Sequence, residues 1–268
     1  DDTDLGLAAP EVRGALRPLA LALADALPAW WSEPVDLDRQ RVVAWVDPSL
    51  PPAPALTGTA DSLARWRRET VEGEARAREE RPADVRANWS GAWWSTPAGS
   101  ARPVETSRAL DVVGAAGLVL VEDSLGWTAA DCLPVEPTRP VRVHEVHGPA
   151  DWVELVSRHP LEVTFSRRHD WWRTTGVDGR WLIPDWQAVS QDYDAVHVSV
   201  RGYLTTAGLP LQVGEGWTLL AGWEPDASWW LTDCLRAVGD TQRWVLEEQG
   251  EPLGWRLELP GQGEEAGP

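Results

Sequence analysis

A chain of 268 residues can bury a sizeable core, and its 43% hydrophobic and 25% charged content is that of a folded globular protein. The formal net charge of −18 excludes sequence-independent binding to DNA or RNA, because affinity for phosphate backbones comes from basic side chains, and no apolar run is long enough for a membrane-spanning helix. All 24 basic residues are arginine and 19 Trp stand against one Phe and two Tyr, a bias that codon composition explains more simply than selection for stacking surfaces.

In chain order, residues 15–28 have the apolarity of a short leader core. Asp25 interrupts it, Asp1, Asp2 and Asp4 precede it, and no basic region leads it, so a cytoplasmic location is expected. Val12, Leu16, Leu19, Ala20, Leu23 and Leu27 recur at helical spacing between Pro10 and Pro28, predicting an amphipathic packing helix. Residues 42–46 read as a strand, and the proline-rich stretch 47–54 ends regular structure. A second helix is predicted over 61–81, with Glu69, Glu72, Arg76, Glu79 and Glu80 spaced for ion pairs on a solvated, lid-like face.

Further strands are predicted at 117–122, 141–146 and 161–166, with a helix over 149–159 that turns Trp152, Leu155 and Val156 inward. The polar stretch 170–180 ends in the turn signature Val177-Asp178-Gly179-Arg180. Pro184 and Asp185 then open a short helix with Trp186, Val189 and Tyr193 on one face. From Ala195 the period becomes two, with Val196, Val198 and Val200 on one side of a half-buried strand and His197 and Ser199 on the other. Strands follow at 203–207 and 217–223, then the turn Glu224-Pro225-Asp226 and strands at 228–232, 243–247 and 255–259. These elements predict an α+β fold on an antiparallel or mixed β-sheet with flanking helices. The division expected is an N-terminal helical region with the lid-like segment (1–86), an α+β catalytic domain (87–260) and a disordered acidic tail (261–268).

Familiar catalytic patterns are absent. His144 and His147 are separated by three in a strand pattern, which turns the imidazoles to opposite faces, and Cys132 and Cys234 lack any CxxC spacing, so no metal site is expected and the two thiols read as buried. Ser95 or Ser199 with His169 or His197 could form a hydrolytic triad, yet no G-x-S-x-G elbow marks a nucleophile, and no P-loop or dinucleotide fingerprint occurs. The run Ser166-Arg167-Arg168-His169-Asp170-Trp171-Trp172-Arg173 offers planar guanidinium forks suited to phosphate, though Arg beside Asp170 is also the pattern of a solvated ion-pair surface.

Three short motifs carry a resemblance: Gly91-Ala92-Trp93-Trp94-Ser95, Tyr193-Asp194-Ala195-Val196-His197 and Gly222-Trp223-Glu224-Pro225-Asp226-Ala227-Ser228. Their order resembles a family of small bacterial and phage proteins with GLW-S, YDAIH and GWD-E-S motifs, and through it the ADP-ribosyltransferases. The catalytic strands of those enzymes carry a basic residue, a Ser/Thr motif and an acidic residue in sequence. The resemblance implies a split β-sandwich, NAD as substrate, and a protein or nucleic-acid acceptor modified by a toxin or regulatory enzyme. It implies catalytic roles for Asp226, Glu224, Ser95, Thr96 and a basic residue, Arg41 or, after it, Arg39, and dinucleotide contacts from Trp94, Arg39, Trp229 and His197. The alternative is a non-catalytic interaction or immunity module whose acidic surface engages a basic partner.

Overall fold

The computed structural model describes residues 10–24, 26–50, 55–99, 102–121, 126–247 and 254–258. The predicted acidic tail at 261–268 lies outside them. The fold is α+β, and the described residues form a nine-stranded mixed sheet, a four-stranded sheet and six α-helices. The large sheet runs β13 (Trp255–Leu257), β12 (Gln242–Leu246), β3 (Ala129–Pro137), β1 (Gln40–Trp45), β2 (Val104–Arg108), β10 (Ala227–Trp230), β7 (Ala195–Val198) and β4 (Val143–Val146), with β11 (Leu235–Ala237) also pairing with β3. All pairs in it are antiparallel except β4 with β7. The small sheet is ordered β5 (Pro160–Glu162), β6 (Trp181–Pro184), β9 (Gly216–Thr218) and β8 (Leu211–Val213).

The main core lies between the two sheets and the helices α2 (Thr59–Glu80), α3 (Pro149–Arg158), α4 (Thr164–Thr175) and α5 (Trp186–Asp192). Trp152, Trp171, Trp181, Trp186, Trp223 and Trp229 bury their rings there, and Trp223 makes edge or tilted contacts with Trp152, Trp186 and Trp229. Each such indole removes a large apolar surface from water, and edge contacts add about 0.5–1.5 kcal/mol beyond burial. The first helix, α1 (Pro10–Ala24), leaves Leu16 and Leu19 exposed, so its expected packing face is not covered. The stretch 1–86 is not simply a helical extension: β1 lies between β2 and β3, and α2 contacts α4 and α5.

Several predicted elements take another form. Of the strand predicted at 117–122, the described residues 117–121 contribute only to a 3₁₀ turn, Ala116–Leu118. The predicted strand 161–166 is cut short at Glu162, because both Glu74 carboxylate oxygens on α2 accept the Phe165 and Ser166 N–H groups and start α4, which takes in the first part of the polar stretch 170–180 and ends at Thr175, ahead of the turn predicted at 177–180. Residues 203–207 lie in or beside α6 (Val200–Thr206), not in a strand. Its N-cap Ser199 accepts the Gly202 N–H at 3.0 Å, and a Cβ at Gly202 would fall 2.0 Å from the Val146 carbonyl oxygen. The strand predicted at 217–223 ends at Thr218.

Candidate functional site

Register decides which side chains share a face of the large sheet. Arg41 lies opposite Ser107, Ser107 opposite Ala227, and Ala227 opposite Val198. Arg41, Val43, Trp45, Glu105, Ser107, Ala227, Trp229, Val196 and Val198 therefore share one face, and Gln40, Thr106, Arg108, Ser228, Trp230 and His197 share the other.

On the first face a cleft of about 170 Å³ opens over β1 and β2, lined by Trp45, Arg102, Glu105, Ser107, Trp127 and Glu224 among others. Trp45 stacks on Trp127 with ring centroids 4.7 Å apart, giving the cleft a flat aromatic wall. Burial pushes the Glu105 carboxyl up to about 7 despite nearby Arg102, so Glu105 carries its proton up to neutral pH. The Ser107 hydroxyl accepts the Gly117 N–H at 2.8 Å, fixing the loop behind the strand. Arg41, on β1 in the same face, is half-buried. Its guanidinium is depressed mainly by burial and further by Arg39, and it donates to the Gln40 carbonyl at 3.0 Å.

The opposite face holds a buried charged chain. Asp226 accepts the Arg108 Nε–H at 2.7 Å and the Arg108 backbone N–H at 3.0 Å, and stands 3.4 Å from His197 Nε2. His197 Nδ1 meets Glu145 at 2.6 Å, and Glu145 accepts the Val35 N–H at 3.0 Å. Arg108 also donates to the Pro34 carbonyl and lies over the Trp30 ring at 5.0 Å. For His197 burial opposes the charge, but the bonds and charges of Asp226 and Glu145 outweigh it, and its ionisation is raised above the ordinary histidine value.

The residues singled out from the sequence are thus dispersed. Glu224 lines the cleft and Arg41 shares its face, whereas Asp226 and His197 sit in the buried chain on the other side. Ser95 is fully buried. Its hydroxyl donates to the Ala221 carbonyl and accepts the Ala221 N–H, so it ties its segment to the chain before the acidic turn and does not line the cleft. Thr96 and Trp94 line a different cavity, and Trp94 covers Gly222, whose φ of +69° and lack of a Cβ let the indole sit down. Trp229 is a core residue against Trp223, and Arg39 forms an exposed ion pair with Asp111.

Sequence reasoning missed β2, which supplies Glu105 and Ser107. Val104-Glu105-Thr106-Ser107-Arg108 has no apolar alternation, and its polar side chains are accommodated by specific partners. Thr106, for one, donates to Gln40 and accepts the Trp230 indole N–H. Among the described residues no group of three or more His, Cys, Asp or Glu could hold a metal ion. Cys132 and Cys234 are buried free thiols, and burial pushes the first up to about 12. Among the described residues no helix is long and apolar enough to cross a membrane. Comparison with protein-family models, with curated proteins and with solved structures finds no match.

Proposed function

We propose that the cleft over β1 and β2 binds the nicotinamide–ribose end of NAD and that the protein is an ADP-ribosyltransferase-like enzyme. The observation that carries this reading is that Ser107 on β2 and Glu224, just ahead of β10, line one cleft, while Arg41 on the neighbouring strand β1 lies opposite Ser107 on the same face. Basic, hydroxyl and acidic residues there follow one another along the chain in the order the resemblance implies, with Ser107 in the place first given to Ser95. Two sheets around a shared core are compatible with the split sandwich that the resemblance also implies.

In this reading the bond from ribose C1′ to the nicotinamide nitrogen breaks, and its electron pair leaves with nicotinamide. The Glu224 carboxylate faces the positive charge that develops on the ribose, where a preorganised group is worth most. An acceptor nucleophile then bonds to C1′ and gives up its proton. Glu105, protonated near neutral pH, donates a hydrogen bond to the ribose, and the Trp45–Trp127 pair supplies a stacking wall for the departing ring. Arg41 and Arg102 provide guanidinium donors for the diphosphate. The acceptor is a protein or a nucleic acid, and a toxin or a regulatory modifier would both use this chemistry.

Calorimetric titration of NAD into the full chain, with release of nicotinamide followed in parallel, tests the reading. Wild type is expected to bind NAD, and Trp45→Ala to bind it about tenfold more weakly, as loss of a stacking partner costs on the order of 1–3 kcal/mol. Absence of any NAD binding by wild type would overturn the assignment. It would favour the second reading, a module that engages a basic partner, which the net charge of −18 supports.

A further inference from the structure

A second cavity, of about 270 Å³, lies between α2, the segment 92–98 and the first turn of α4. It shares no lining residue with the cleft over β1 and β2. Its wall includes Trp66, Arg81, Trp94, Thr96, Ser166 and Arg167, with Glu69 on the exposed face of α2.

Arg167 is 7% exposed, and burial draws its guanidinium down to about 10, still charged at neutral pH. Burying a guanidinium is costly unless an anion answers it. Here two donors go to neutral acceptors, the Ser166 hydroxyl at 2.7 Å and the Trp94 carbonyl at 3.2 Å, and Nε has no partner. Glu74, the acidic neighbour whose charge Arg167 feels most, has both oxygens committed to the Phe165 and Ser166 N–H groups, and Arg167 forms no ion pair among the described residues. Thr96 is 2% exposed and its hydroxyl likewise has no partner. Arg81 adds a second guanidinium to the wall while donating to the Phe165 and Ser166 carbonyls.

Two unsatisfied donors of this kind on one cavity are either a standing cost to the fold or the recognition groups of a ligand. We propose that the cavity is a binding site for a compact oxyanion, a phosphate or carboxylate group, recognised by the Arg167 fork and the Thr96 hydroxyl with Arg81 adding charge. Both anions present oxygens at the spacing a guanidinium fork takes up in pairs. The α4 N-terminus is not itself the site, since Glu74 already occupies its first amides. The proposal is independent of NAD binding in the other cleft.

The test titrates the full chain with inorganic phosphate and, separately, with acetate, at ionic strength matched by sodium chloride, reading calorimetric heat and thermal midpoint. One or both anions are expected to bind and raise the midpoint above the chloride control, and the stronger of the two identifies the group recognised. Thr96→Val is expected to weaken that binding about tenfold with the ligand-free midpoint unchanged or higher. Arg167→Gln is expected to abolish it, again without lowering the ligand-free midpoint, because the variant removes a buried unpaired charge. Anion binding no stronger than chloride, or binding that survives intact in Thr96→Val, would overturn the proposal. So would a collapse of ligand-free stability in Arg167→Gln, which would assign the guanidinium to the fold.

Discussion

His197 is the residue whose surroundings depart furthest from those expected of a strand side chain. It was expected on the solvated side of a half-buried strand, but it is 1% exposed, between Asp226 and Glu145. Its ionisation is raised, so the stabilisation it gives is fully present below the unfolded value of about 6.5 and is lost as pH rises through the higher folded value. His197→Asn is therefore expected to cost about 3 kcal/mol at pH 6, in the range for breaking a buried charge pair, and less at pH 8 and above. Denaturant midpoints of both proteins across that range decide it, and a cost that stayed constant with pH would remove the charged-histidine account. Asp226, its partner, is the one described non-glycine residue with positive φ, at 61°, a conformation that Asp tolerates better than most side chains. The tight turn through Pro225 thus delivers the carboxylate to Arg108 and His197 rather than to the cleft.

Among the elements, β7 shows how much the sequence can say. Its β-branched run is buried along its whole length, second from one edge of the large sheet between β10 and β4. Val198 lies in the main core, so Val198→Ala is expected to destabilise by about 1–3 kcal/mol without changing the steepness of the denaturant transition. An unchanged midpoint would refute its place in the core. The helix before β7 and the strands at β1, β10 and β12 were legible for the same reason, since local pattern and final environment agree there. Where they disagree, a distant residue decides: Glu74, some ninety positions away, caps α4 and converts a strand-like stretch to helix. The β-prone Tyr203-Leu204-Thr205-Thr206 becomes helical because Ser199 caps it and Gly202 presses on the Val146 carbonyl. Of the candidate site, the acidic turn and Arg41 were legible as chemistry-bearing residues. Arg167 was legible as a phosphate-suited guanidinium, but Glu105, Ser107, the Trp45–Trp127 wall and the cavity that Trp94, Thr96 and Arg81 form with Arg167 were not, because each depends on pairings between strands and loops far apart in sequence.

At the scale of the whole molecule, the large sheet works as a partition between two sets of charged groups. Glu224 and Asp226 are two residues apart, yet the first lines the cleft over β1 and β2 while the second closes a buried charged chain on the other face, which ties the segment at Trp30–Val35 to β2, β7 and β4. A sheet that separates them this way makes opposite forecasts for two nearly isosteric substitutions. Asp226→Asn keeps the shape and tolerates the turn, but leaves Arg108 and His197 facing a neutral amide, so a loss of about 3–5 kcal/mol in stability is expected, and on the proposed reading the folded fraction keeps its NAD turnover. Glu224→Gln alters a cleft side chain, so its loss of stability is expected to be smaller than that of Asp226→Asn, while turnover in the proposed reaction falls about a hundredfold or more, a loss confined to the transition state. Thermal melts and nicotinamide release measured on the same two preparations separate the roles. If Glu224→Gln proved the unstable variant and Asp226→Asn the inactive one, the reactive carboxylate would have to be placed on the opposite face, and the cleft reading would fall with it.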